Sequence, residues 1–188
     1  MEINSSYYVL FVPGTCGSFI SDFVYYYNYN DFSKIKINPV TGDGHGSGSS
    51  DEHCGHFIND IPPDKTLILI DFDDDDKKTI IKMWFNKFLI PTIKKNPAWL
   101  SSTDWDIPST DLKLLEQTLQ DNPKYVIFPD WREQVTKLTP ALTIKFKDIM
   151  FGNLNEIIAN FLHKPQSAEA ATLINHYRNI NKKYLDIF

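Results

Sequence analysis

The segment TLILIDF, residues 66–72, constrains the fold more than any other part of the chain. A strand that is apolar at nearly every position has both of its faces covered, the condition of a parallel-sheet interior. Asp73 to Asp76 follow, then KKTIIKMWFNKFL, where Ile80, Ile81, Trp84, Phe85, Phe88 and Leu89 recur at helical spacing. The acidic run stands where a helix N-terminus favours negative charge.

The same strand-then-helix layout opens the chain. Tyr7 to Val12 reads as a strand, Pro13, Gly14 and Gly17 punctuate its end, and Ser18 is placed to cap a helix running to about Tyr27. Residues 28–63 read as irregular, with a short strand at Lys34 to Ile37 and a Gly-, Ser-, Asp- and His-rich loop at 40–56 that supplies little core. Residues 91–108 read as a loop, with Ser109 or Thr110 capping a helix that carries Leu112, Leu115 and Leu119. Lys124 to Phe128 and Leu142 to Phe146 read as strands. Asn153 and Ser167 stand before two more helices, the first striped by Leu154, Ile157, Ile158, Phe161 and Leu162. Strands alternating with amphipathic helices predict an α/β fold, three-layered, with a mostly parallel sheet flanked by helices, formed by residues 1–188 as one domain. Ligands of such sheets bind beyond the carboxyl ends of the strands. Both the turn at 13–18 and the segment at 71–76 lie there.

The 188 residues carry a formal net charge of -5, which gives no overall attraction to nucleic acid or to an anionic membrane. The two cysteines, Cys16 and Cys54, form no CxxC pair, and no apolar run approaches the ~20 residues that span a bilayer. The expected setting is reducing and cytoplasmic.

PGTCGS, residues 13–18, admits two readings: a turn that needs glycine, or a cradle in which a helix N-terminus holds a phosphate or sulfate. The pattern GxxxxGK[ST] is absent, its lysine included. Cys16 is either a thiol nucleophile activated by the helix terminus or a small buried residue. Asp22 stands where the phosphatase pattern has arginine, which favours the latter. His45, His53, Cys54 and His56 fit no familiar zinc spacing, so a general base or an exposed polar loop is favoured and no metal is expected. Trp99, Trp105 and Trp131 are either core residues or the lining of an acceptor pocket.

In order along the chain, VPGTCGSFI, then HFINDIPPDKTLILIDFDDDDKKTIIKMWF, then TIKFKDIMFGNLNEIIANFL resemble the P-loop sulfotransferase family. Gly17, Ser18 and Phe19 match the glycine, hydroxyl and aromatic of its 5′-phosphosulfate loop, with one residue fewer in the turn. The resemblance implies a P-loop nucleotide-hydrolase-like fold. It implies 3′-phosphoadenosine 5′-phosphosulfate as the donor and transfer of a sulfuryl group to an acceptor hydroxyl or amine on a small molecule or glycan. It makes His56 the catalytic base. Gly14, Thr15, Cys16, Gly17, Ser18, Phe19 and Thr79 become the donor-binding residues. The family's loop lysine is not matched, and Asp71 falls where it has the arginine that grips the donor's 3′-phosphate. A carboxylate cannot act as that clamp. Two alternatives therefore stand beside transfer. One is a P-loop-derived binding module without catalysis. The other is a small-molecule kinase using Asp73 to Asp76 for Mg²⁺.

Overall fold

The computed structural model describes residues 7–39, 44–46, 54–96, 98, 111–127 and 129–185. Four parallel strands form the main sheet in the order β4, β1, β5, β6: β1 is Tyr7–Leu10, β4 Cys54–Gly55, β5 Thr66–Asp71 and β6 Leu142–Lys145. Tyr7 pairs with Thr66, Leu10 with Gly55 and Asp71 with Lys145. The central strands are covered as their composition requires: Val9, Leu10, Ile68 and Ile70 are all buried. A separate antiparallel pair joins β2 (Ile35–Ile37) to β3 (Gly44–Gly46).

Helices flank the sheet. After β1 comes α1 (Gly17–Tyr29), whose Phe19, Ile20, Phe23, Val24 and Tyr27 enter the core. After β5, an overlapping helical turn at Asp74–Asp76 leads into α2 (Lys77–Trp84). There Asp73 and Asp76 satisfy each other's backbone N–H groups as a capping box, the arrangement the acidic run foreshadows. The helix then widens into a π turn at Phe85–Leu89 and continues as α3 (Ile90–Lys95). Next are α4 (Leu112–Asp121), α5 (Trp131–Val135), α6 (Phe146–Met150), α7 (Leu154–Phe161) and α8 (Ala168–Leu185). Among the described residues no helix is long and apolar enough to cross a membrane.

Several expectations change. Ser18 is not the cap of α1: the N-cap is Cys16, and the helix runs two residues past Tyr27. Asp111 caps α4 through the N–H groups of Lys113 and Leu114, while Ser109 and Thr110 lie outside the described residues. Leu115 and Leu119 are buried but Leu112 is exposed, as is Phe88 after α2. The strand expected at Lys124 to Phe128 is instead a helical turn at Pro123–Tyr125 (Phe128 is outside the described residues). Pro123 has no N–H to donate to a ladder, and its carbonyl accepts from both Val126 and Ile127. The loop expected from residue 91 begins inside α3, where Pro91 follows the π turn without interrupting the helix. Within the expected irregular stretch, Gly44–Gly46 and Cys54–Gly55 are paired strands, and the rest of 40–53 lies outside the described residues. Ser167 does cap α8, its hydroxyl accepting from the Ala170 N–H.

Candidate functional site: the glycine turn and its cavity

The turn after β1 closes on itself before it reaches α1. Val12 C=O accepts from the Thr15 N–H at 3.1 Å and from the Thr15 hydroxyl at 2.6 Å. Thr15 is fully buried and its hydroxyl is engaged within the turn. Gly14 has φ +89°, and a Cβ there would lie 2.5 Å from the Ile80 carbonyl oxygen of α2. Cys16 also lies in the left-handed region, at φ 69°, where a side chain costs about 1–2 kcal/mol. Its sulfur packs 3.8 Å from Met150 Sδ, a structural thiol in a buried setting.

The first hydrogen bond of α1 runs from the Ile20 N–H to the Cys16 carbonyl. The N–H groups of Gly17, Ser18 and Phe19 precede it, at the positive end of the helix dipole. All three residues line a cavity of about 90 Å³ together with Gly14, Cys16 and Lys87. That space has room for a tetrahedral oxyanion, and it opens to solvent.

Lys87 is the residue that the sequence reading missed. It is 8% exposed, its ammonium donates to the Tyr177 hydroxyl at 3.4 Å and lies over the Tyr177 ring, and that ring stacks on Phe19 at 3.8 Å. Ile80 and Trp84, which meet Gly14, share a helical face with position 87. A lysine within an otherwise apolar stripe was the available signal.

His56 stands one residue beyond β4. The Phe11 N–H donates to the Gly55 carbonyl, which extends the β1–β4 ladder, and His56 Nδ1 then lies 2.9 Å from the Phe11 carbonyl. A carbonyl only accepts, so Nδ1 carries the proton and Nε2 is left as the acceptor, the tautomer a general base needs. Burial holds the imidazole pKa below its ordinary value, against the Phe11 hydrogen bond that raises it. The His56 ring meets Phe11 edge-on at 4.3 Å, and the Phe11 ring in turn covers Gly17. His56 is thus not in the cavity lining: Phe11 packs against both.

The depressed pKa gives a pH dependence of stability. Unfolded His56 binds a proton near pH 6.5 and the folded form only at lower pH, so stability is full above about 6.5 and falls as the pH drops toward the folded value. Urea unfolding from pH 7.5 to 5 is expected to show this loss, and His56→Gln to flatten that part of the profile.

The remaining assignments separate. Thr79 is buried on α2 outside the cavity lining, which places it away from any ligand there. Asp71, at the expected arginine position, pairs with Lys145 across the β5–β6 ladder, and Asp73 pairs with Lys145 at 3.4 Å and Lys147 at 3.3 Å. Those lysines hold the Asp73 carboxyl below the usual carboxylate range. Asp74 pairs with Lys77 and Arg132. Asp73, Asp74 and Asp76 are therefore engaged with cations or the cap, and the described residues contain no cluster of three or more metal-ligating side chains. Trp131 is buried in a different part of the molecule, while His53, Trp99 and Trp105 lie outside the described residues.

No family model, curated protein or solved structure matches the chain.

Proposed function

We propose that this protein binds the phosphate or sulfate group of a ligand over residues 14–19, with Lys87 supplying the positive charge that the turn itself lacks. The observation that carries this reading is the buried Lys87 side chain in the wall of a cavity bounded by the first three residues of α1. Backbone donors, a helix dipole and an ammonium then converge on an oxyanion-sized space, the combination that phosphate sites share. The Ser18 hydroxyl adds a further donor.

Sulfuryl transfer from a phosphosulfate nucleotide is the second reading. His56 favours it, being neutral with Nε2 as its acceptor, at the carboxyl end of the sheet. The cavity would take the donor's sulfated end. The donor's 3′-phosphate would need another cation, because Asp71 occupies the clamp position and is paired with Lys145.

Isothermal calorimetry with sulfate, phosphate, 3′-phosphoadenosine 5′-phosphosulfate and its desulfated product tests both. Oxyanion binding is expected in the wild type and about 10- to 100-fold weaker in Lys87→Met, the worth of one charge-assisted hydrogen bond. No heat with any of them overturns the binding reading. Binding without turnover, unaffected by His56→Ala, leaves a binding module and removes the transferase.

A further inference from the structure

The cavity at the glycine turn has a polar wall and an aromatic mouth. Among the described residues that line it, Phe88 alone is exposed, at 46%, while Lys87 and Trp84 are both 8% exposed. Phe88 therefore stands where the cavity meets solvent, and Lys87 lies deeper. The Phe88 ring is backed by Trp84, with centroids 5.6 Å apart and planes at 32°. Trp84 is in turn seated against Gly14, where a Cβ would lie 3.1 Å from Trp84 Cβ.

Lys87 and Phe88 both belong to the π turn, in which the Ile90 N–H reaches the Phe85 carbonyl five residues back. Pro91 has no N–H to offer the Lys87 carbonyl four residues back, so the sequence itself disfavours a regular α-turn there. Single π turns of this kind recur at functional sites. Here the turn sets two neighbours, a buried ammonium and an exposed phenyl ring, in the wall of one cavity. A lone phenylalanine on a flat surface carries no message. One at the lip of a cavity with a cation and helix N–H groups behind it meets whatever is attached to the anion.

We infer that the oxyanion bound here is the phosphate or sulfate end of a monoester whose organic part is an apolar ring, seated on Phe88. The inference rests on the oxyanion reading above and names the class of ligand. A ring on the ester oxygen leaves the cavity at its mouth and lies against the exposed phenyl face, where aromatic contact is favourable. A sugar in the same position would set its hydroxyls against that face and lose water there without a matching partner.

The test uses the full chain and four probes, titrated by calorimetry: phenyl phosphate, phenyl sulfate, ribose 5-phosphate and inorganic phosphate. At least one phenyl ester is expected to bind about tenfold more tightly than ribose 5-phosphate and inorganic phosphate, the worth of one aromatic contact. The two phenyl esters tell phosphate from sulfate. Phe88→Ser is expected to remove the preference and leave inorganic phosphate within twofold of wild type, and Phe88→Leu to keep part of it. Lys87→Met is expected to weaken every probe that binds. No heat with any probe overturns the oxyanion reading and this inference with it. Inorganic phosphate bound as tightly as both phenyl esters, or ribose 5-phosphate bound as tightly, overturns the inference alone. So does a phenyl preference that survives Phe88→Ser or ignores Lys87→Met.

Discussion

Replacing Gly17 by alanine is expected to destabilise the protein by about 3 kcal/mol, within the upper range for overpacking a filled core. A Cβ at Gly17 would lie 2.0 Å from Phe11 Cγ, the root of the ring and not its tip. The ring cannot swing aside without moving the end of β1, and His56 packs on its edge. For a chain of this length the loss corresponds to a fall in Tm of roughly 6–12 °C. Phe11→Ala removes the obstacle, so the double variant should lose less than the sum of the two singles. Additive losses in thermal or urea unfolding would show that Gly17 is required for some reason other than this contact. The close approach also explains glycine at 17: it lets the Phe11 ring lie against the start of α1, whose N–H groups border the cavity.

Arg178→Ala is expected to cost about 2–4 kcal/mol, since hydrogen bonds to a charged group are worth ~1.5–3 each and three share this one side chain. From α8, the Arg178 guanidinium donates to the carbonyls of Ile149 at 2.8 Å, Asp148 at 2.9 Å and Gly152 at 2.7 Å. Asp148 and Ile149 lie in the last turn of α6 and Gly152 follows it, where helix-end carbonyls lack a full set of backbone donors. Lysine should restore little, because one ammonium cannot span the three acceptors that the planar fork reaches. The urea midpoint should fall with the m-value unchanged. A shift below about 0.5 kcal/mol would mean that water replaces the guanidinium at no loss. Tyr177 precedes Arg178 on α8 and covers the cavity, so oxyanion affinity should fall in the same variant.

The parts of the fold legible in sequence were those in which burial writes itself into composition. TLILID and YYVL are apolar on both faces, and the structure places them side by side at the centre of the sheet. Cys54–Gly55 carries no such mark: a strand of two residues is too short to leave a hydrophobic signature. KYVIF carries the wrong mark, since apolar β-branched residues read as a strand while Pro123 sets a helical turn. At the site, the glycine positions were legible because positive φ and close approach select that residue. The compensating cation was not, because Lys87 is 70 residues away in sequence from Gly17, and only the crossing of α2 over the turn brings them together. The acidic run was legible as a helix start, whereas its pairing with Lys145 and Lys147 depended on the β5–β6 register.

That register has a kinetic consequence. No two neighbours in the main sheet are joined by a hairpin: Val9 pairs with Cys54, Tyr7 with Thr66 and Ile68 with Leu142, separations of 45, 59 and 74 residues. Each pairing closes a long loop before any ladder energy is returned, so the sheet assembles through distant contacts from its first pair onward. Refolding should therefore run on the millisecond-to-second scale and not the microseconds of a helical bundle. Until β6 docks, β5 presents an open apolar edge, and it is in that interval that the chain is most exposed to pairing with another copy of itself.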